Sequence, residues 1–190
     1  MNVGQMVKVM ALVLGLNGSP RKDGNSAMIL EEALRSAREC GCETIRLDVS
    51  DLDISGCRSC WACEETGICV VEDDMAQVYD LLLRADALVV ASPVYFSGTT
   101  SQLKQVIDRC NCLWNRKVPP TKRGAILCVA ADPEQDFRPI LSELRSFMNS
   151  VGFPCKEELL VPGIYRKGEV VTDRNAMRLA MEIGARIASC

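Results

Sequence analysis

The sequence contains no histidine. That absence removes histidine metal sites, Ser-His-Asp and Cys-His nucleophile pairs, and the one side chain whose unperturbed pKa lies near neutrality. Chemistry on this chain therefore belongs to carboxylate, thiolate or lysine, or is borrowed from a cofactor. There is no basic excess either. Against 25 Asp and Glu stand 22 Lys and Arg, for a net charge of −3, which offers no electrostatic footprint for nucleic acid or an anionic membrane. No stretch approaches the roughly 18 uninterrupted apolar residues that a membrane helix needs. Lys8 followed by Val9 to Leu16 imitates the start of a secretory signal, but it lacks a small-residue cleavage pattern and runs at once into Asn17-Gly18-Ser19-Pro20-Arg21-Lys22. The expectation is a cytoplasmic protein with neither nucleic acid nor membrane among its partners.

What is present is the usage of a globular protein: 48% hydrophobic and 25% charged residues, too apolar for a disordered tail. A chain of 190 residues fits one domain, here residues 1–190, and buries about 70% of its unfolded surface without staples. Eleven cysteines are many, but the count is odd and the chain is large enough to hold itself together. Reduced thiols or a metal centre are expected, not a secreted disulfide scaffold.

Val9 to Leu16 reads as a strand buried on both faces, and Ala87 to Ala91 and Ala125 to Ala130 read likewise. Thr44 to Val49 is a second short strand and Lys156 to Val161 a weaker fifth. Between them, Ala27, Leu30, Ala33 or Leu34, and Ala37 recur at helical spacing, Asp74 to Arg84, Ser101 to Cys112 and Ile140 to Val151 read as helices, and Asp173 caps a closing helix to Ala188. Strands alternating with helices predict an α/β fold with helices on both faces of an open parallel sheet. Five strands suit the flavodoxin-like order 2-1-3-4-5. The one irregular insertion, Ser50 to Val70, holds the clustered cysteines.

In such a sheet ligands sit beyond the carboxyl ends of the strands at the topological switch point, where a helix N-terminus offers unpaired N–H groups to an anion. Gly18 to Ser26 occupies that position after the first strand. Ser19, Asn25 and Ser26 supply short polar donors and Arg21 or Lys22 positive charge, so a phosphate monoester is the expected ligand, with a helix-capping turn as the plainer alternative. The segment is not a Walker loop, because counting from Gly18 the positions of the second glycine and the lysine hold Asp23 and Gly24. A second loop, Ser92 to Thr99, follows the third strand to the same sheet edge. Its Pro93, Val94, Tyr95, Phe96 and Gly98 offer backbone amides and two aromatic rings to bound a flat heteroaromatic ligand.

Leu16-Asn17-Gly18-Ser19-Pro20-Arg21 with Gly24-Asn25-Ser26, then Ser92-Pro93-Val94-Tyr95-Phe96, then Leu103 to Arg109 together resemble the flavodoxin-like NAD(P)H-dependent FMN reductase superfamily, over about residues 8–150. The resemblance implies that the first loop holds the FMN phosphate and the second its isoalloxazine and ribityl portions. It also implies NAD(P)H as an electron donor and a homodimer or homotetramer whose neighbouring chain completes the flavin pocket.

The insertion contains Cys57-x-x-Cys60-x-x-Cys63-x5-Cys69. Four thiolates so close in sequence can converge on one centre, and two-residue gaps allow a tight wrap about a cubane cluster. The spacing resembles that of iron–sulfur flavoproteins, a branch of the same superfamily carrying FMN and a 4Fe-4S cluster. Bare thiols and a structural zinc are the alternatives. Cys110 to Arg116 satisfies C-x5-R, the outline of a phosphatase loop, but stands at a helix end without glycine and is read as chance. Where many relatives of the superfamily place a glycine-rich loop after the fourth strand, this chain has the acidic run Ala130 to Asp136, expected to weigh against an anionic reduced flavin. The reading is an FMN-dependent oxidoreductase that moves electrons from a reduced small molecule or redox protein to a quinone, small oxidant or redox protein. A non-enzymatic electron carrier and a thiol-based redox sensor are its rivals.

Overall fold

The computed structural model describes residues 10–114 and 122–188. Five parallel strands, β1 (Leu12–Asn17), β2 (Glu43–Asp48), β3 (Ala87–Pro93), β4 (Arg123–Val129) and β5 (Cys155–Val161), form one sheet in the order β2-β1-β3-β4-β5. This is the expected flavodoxin-like order. The three central strands are buried almost throughout, whereas the edge strands β2 and β5 are mostly half-exposed. A continuous apolar run is what burial on two faces demands, and edge strands relax it.

Alternation along each strand divides the core between the two faces. Leu12, Leu14, Leu16, Leu88, Val90 and Ile126 face α3 (Met75–Arg84), α4 (Ser101–Arg109) and α6 (Arg138–Ser150). Val13, Val89, Ala125 and Leu127 face α1 (Asn25–Glu39) and α7 (Arg174–Ala188). The last two helices approach closely at Gly184, where a Cβ would stand 2.0 Å from the Ala33 carbonyl oxygen. Asp173 caps α7 as its sequence position predicts, its Oδ1 accepting the Ala176 N–H at 2.9 Å.

Three expected elements differ. The first strand begins at Leu12 because its partners begin there: Leu12 pairs with Glu43, and its N–H donates to Asp86 Oδ2 at 2.8 Å. Val9 lies outside the described residues. The expected helix from Ser101 to Cys112 breaks after Arg109 and resumes as α5 (Asn111–Trp114). The Arg109 carbonyl accepts the Tyr79 hydroxyl at 2.8 Å, and the Leu113 N–H turns to the Cys110 carbonyl at 2.9 Å, which ends the regular ladder. The insertion is also not wholly irregular, since it opens on a tight turn at Val49–Asp51 and contains the short helix α2 (Ala62–Thr66). No helix among the described residues is long and apolar enough to cross a membrane.

Candidate functional site

The loop after β1 is fixed from below and leaves its upper face polar. Asn17 is fully buried; its Nδ2 donates to Asp48 Oδ1 at 2.6 Å and its Oδ1 accepts the Ser19 N–H at 3.1 Å. Ser19 Oγ accepts the Arg21 N–H at 3.1 Å, folding the loop back on itself. Gly24 stands at the cap position of α1, and among the described residues no side chain caps that helix. Its first-turn N–H groups and the positive end of its dipole are therefore available to an anion.

The two expected binding loops are joined through Thr100. Its buried Oγ1 donates to the Gly18 carbonyl at 2.6 Å and accepts the Leu103 N–H at 3.2 Å as the N-cap of α4. Gly18 closes the link by donating its N–H to Ala91 in β3 at 2.8 Å. A Cβ at Gly18 would lie 2.6 Å from Leu103 Cδ2, so the close packing of loop on helix needs glycine here. Thr100→Val keeps the shape and removes both hydrogen bonds; urea unfolding is expected to show a loss of about 1–3 kcal/mol, the cost of leaving buried polar groups unmatched. An unchanged unfolding midpoint would disconnect the two loops.

Ser19, Arg21, Asn25 and Ser26 from the first loop, and Pro93, Val94 and Tyr95 from the second, line a single cleft of about 180 Å³. Phe96 and Gly98 lie outside that lining. They belong to a two-residue hairpin in which Tyr95 and Gly98 exchange backbone hydrogen bonds at 3.0 and 2.9 Å. Phe96 and Ser97 at its tip both have positive φ, +49° and +64°, an unfavourable conformation for non-glycine residues that holds the Phe96 ring fully in solvent. Asn25 differs from expectation in role: its Nδ2 donates to the Arg166 carbonyl at 2.9 Å and its Oδ1 accepts the Val170 N–H at 3.2 Å. It ties the loop after β5 to the first loop instead of presenting a free donor.

That loop after β5 is the part of the site the sequence reading missed. Ile164, Tyr165 and Lys167 line the cleft, and Lys167 pairs with Asp23 at 2.5 Å. The usable signal was positional, because the carboxyl end of β5 opens on the same sheet edge as β1 and β3. Lys22 is outside the lining and pairs with Asp51 at 2.7 Å; Arg21 and Lys167 line the cleft, Lys167 together with the Asp23 carboxylate it pairs with. The acidic run after β4 does not bring its charges there. Only Ala131 of that run is in the lining. Asp132 accepts the Glu134 N–H at 2.9 Å, and hydrogen bonds from Arg138 hold Asp136 down to about 2.

The four clustered cysteines also share one pocket. Cys57, Cys60, Cys63 and Cys69 line about 60 Å³ together with Arg109 and Asn111. Among the described residues no group of three His, Cys, Asp or Glu side chains is placed to hold a metal ion. Cys57 and Cys60 are exposed, while Cys63 and Cys69 are partly buried. The loop carrying them takes left-handed backbone at Ser59 and Trp61, with φ of +50° and +61°. Both ends of the loop are held by the buried Arg109, whose Nη1 donates to the Ser55 carbonyl at 2.9 Å and Nη2 to the Val71 carbonyl at 3.1 Å. Asp73 pairs with the same guanidinium at 2.5 Å.

Burial works against the Cys69 thiolate, but the Val71 N–H and the positive charge of Arg109 outweigh it and draw the thiol below its ordinary value. Burial pushes the Cys63 thiol up. The cysteines outside the pocket are of another kind: burial raises Cys128 to about 12 and Cys155 to about 11, as suits packing residues. Burial likewise raises Cys110, and Arg116, the other end of the C-x5-R outline, lies outside the described residues.

Residues 11–161 match the NADPH-dependent FMN reductase family. The chain is 33% identical over 141 residues to an iron–sulfur flavoprotein of Methanosarcina thermophila, with 74% of each chain covered. It is 32% identical over 179 residues to an iron–sulfur flavoprotein of Archaeoglobus fulgidus, covering 92% of this chain and 78% of the other. In fold it resembles an NAD(P)H:quinone oxidoreductase from Methanothermobacter marburgensis, with a TM-score of 0.73 at 19% identity over 95% of this chain and 98% of that one. A flavone reductase has the same TM-score of 0.73 at 20% identity over 93% of this chain, which spans only 62% of that protein's length. At such identities the structural likeness is one of fold. The family match, however, runs across all five strands, both loops at the switch point and the cysteine insertion: the chain belongs to the NADPH-dependent FMN reductase family, in its iron–sulfur flavoprotein branch.

Proposed function

We propose that this protein is an FMN-dependent oxidoreductase that passes electrons from NAD(P)H or a reduced redox protein to a quinone, another small oxidant or a redox protein. The observation that carries the reading is the cleft at the switch point between β1 and β3. There the uncapped N-terminus of α1, Ser19, Ser26 and two cations meet the backbone and ring of Pro93 to Tyr95. These residues fit FMN. The polar end suits a dianionic phosphate, with Arg21 supplying charge, Lys167 paired with Asp23 beside it and Asn25 holding the β5 loop in place. Val94, Tyr95 and Tyr165, which also line the cleft, would bound the flat part of the ligand. Bound FMN would supply the hydride and single-electron chemistry.

Cys57, Cys60, Cys63 and Cys69 would hold a 4Fe-4S cluster. An all-thiol donor set in one pocket, on a loop clamped at both ends by Arg109, supports that assignment. The protein works as a homodimer or homotetramer. Phe96 at the hairpin tip, Tyr165 at 80% exposure and Trp61 at 67% present aromatic surface beside the cleft and the cysteine pocket, which a neighbouring copy would cover.

The test of the flavin site is a titration with FMN. Arg21→Ala removes a charge-assisted contact to the phosphate, and affinity is expected to fall by about 1.5–3 kcal/mol, or roughly ten- to a hundredfold. Adding Ser26→Ala should weaken it further. Full FMN affinity in the double variant would remove the phosphate from this loop.

A further inference from the structure

The Arg109 side chain is entirely buried, and its N–H groups can be followed one by one. A guanidinium has five N–H donors. The two on Nη1 go to the Ser55 carbonyl at 2.9 Å and Asp73 Oδ2 at 2.5 Å. The two on Nη2 go to the Val71 carbonyl at 3.1 Å and Asp73 Oδ1 at 3.1 Å. The fifth, on Nε, is buried and has no acceptor among the described residues. Native interiors rarely leave a buried donor unmatched, so an orphan at such a position calls for an acceptor supplied from elsewhere.

The surroundings say what kind. Arg109 lines the cysteine pocket with all four thiols of the insertion. Its Nη2 holds the Val71 carbonyl, two residues along from Cys69, at 3.1 Å. Anchoring the loop already engages every Nη donor, so the Nε–H adds nothing to the clamp. A directed N–H beside a centre of anionic sulfur stabilises whichever oxidation state carries more negative charge, which is the reduced one.

We propose that Arg109 is a potential-setting residue whose Nε–H donates to a sulfur of the centre held by Cys57, Cys60, Cys63 and Cys69, making that centre easier to reduce by one electron. The inference rests on the cluster reading given above. The proton stays on Nε throughout, and the electron comes from whatever reductant is used, dithionite in the test.

Pulsed EPR of the dithionite-reduced holoprotein, grown with ¹⁵N-arginine, reads the contact directly. A ¹⁵N coupling to the cluster spin is expected in the unmodified protein and in Arg58→Lys, which removes the other arginine of the pocket wall. It should vanish in Arg109→Lys, which keeps a cation for Asp73 and the two carbonyls but has no counterpart of Nε. The equilibrium constant for electron uptake by the cluster should fall about tenfold in that variant, about 59 mV for a one-electron centre, with the FMN potential unchanged. A purely structural clamp would alter how much cluster is held and leave the potential of the remainder alone. If Arg109→Lys fails to hold a cluster, the labelled protein and Arg58→Lys still decide: a coupling absent from the first, or lost in the second, overturns the proposal. Absence of any cluster in the unmodified protein would instead overturn the cluster reading and this inference with it.

Discussion

Arg109→Met is expected to destabilise the fold by about 3–5 kcal/mol, the range found when one partner of a buried ion pair is removed. The substitution strands the Asp73 carboxylate, which is 9% exposed. It also frees the Ser55 and Val71 carbonyls, so the cysteine loop should become the first site of proteolysis. Urea unfolding measures the loss, and Arg109→Met combined with Asp73→Leu should recover much of it, because the second change removes the uncompensated charge. If Arg109→Met unfolds at the same urea concentration as the unmodified protein, the clamp is not structural.

The same pair sets a pH dependence. Burial alone would raise Asp73, but hydrogen bonds from Arg109 and from the Ser55 and Met75 N–H groups outweigh it and hold the carboxyl below its ordinary value. A carboxylate depressed on folding contributes stability that is fully present above its unfolded pKa and is lost as pH falls through the lower folded one. Urea midpoints between about pH 7 and pH 3 should therefore hold steady at the neutral end and fall at the acid end. Asp73→Asn should be less stable at neutral pH and should lose part of that acid step. An acid step of equal size in Asp73→Asn would assign it to other carboxylates.

Much of this was legible in the chain. Three apolar runs and two weaker short segments marked the five strands, and their alternation with helices pointed to the order, because few topologies satisfy short right-handed crossovers. The cysteine spacing named its pocket, and both loops at the switch point fell where strand ends required. What could not be read depends on contacts between distant segments. Arg109 and Asp73 are 36 residues apart, and in sequence they are only a helix-end cation and one acid of a pair. Their partnership exists because α4 ends against the insertion. Asn25 looked like a ligand donor because its type and position allow it; the β5 loop that takes both of its polar atoms lies more than 140 residues away. The break after Arg109 was likewise hidden, since it needs the Tyr79 hydroxyl from α3.

Replacing Cys57, Cys60, Cys63 or Cys69 singly by alanine is expected to reduce bound iron and cluster absorption to background while leaving FMN bound. The thiols sit on the insertion, and the phosphate loop is a separate element held by Asn17 and Thr100. One-electron transfer should fall much further than direct oxidation of NAD(P)H. Cys128→Ala serves as the control, because that buried thiol packs in a central strand and its loss should cost stability without costing iron. Cluster retained in any of the four variants would remove that residue from the ligand set.

The most direct measurement is the metal, flavin and absorption analysis of protein purified without oxygen. The account predicts one FMN and four irons per chain, with flavin bands over a broad sulfur-to-iron absorption that bleaches on reduction. Protein that takes up FMN but holds no iron after incubation with iron and sulfide would leave the cysteines as bare thiols or a zinc site. Protein that takes up neither would contradict the account.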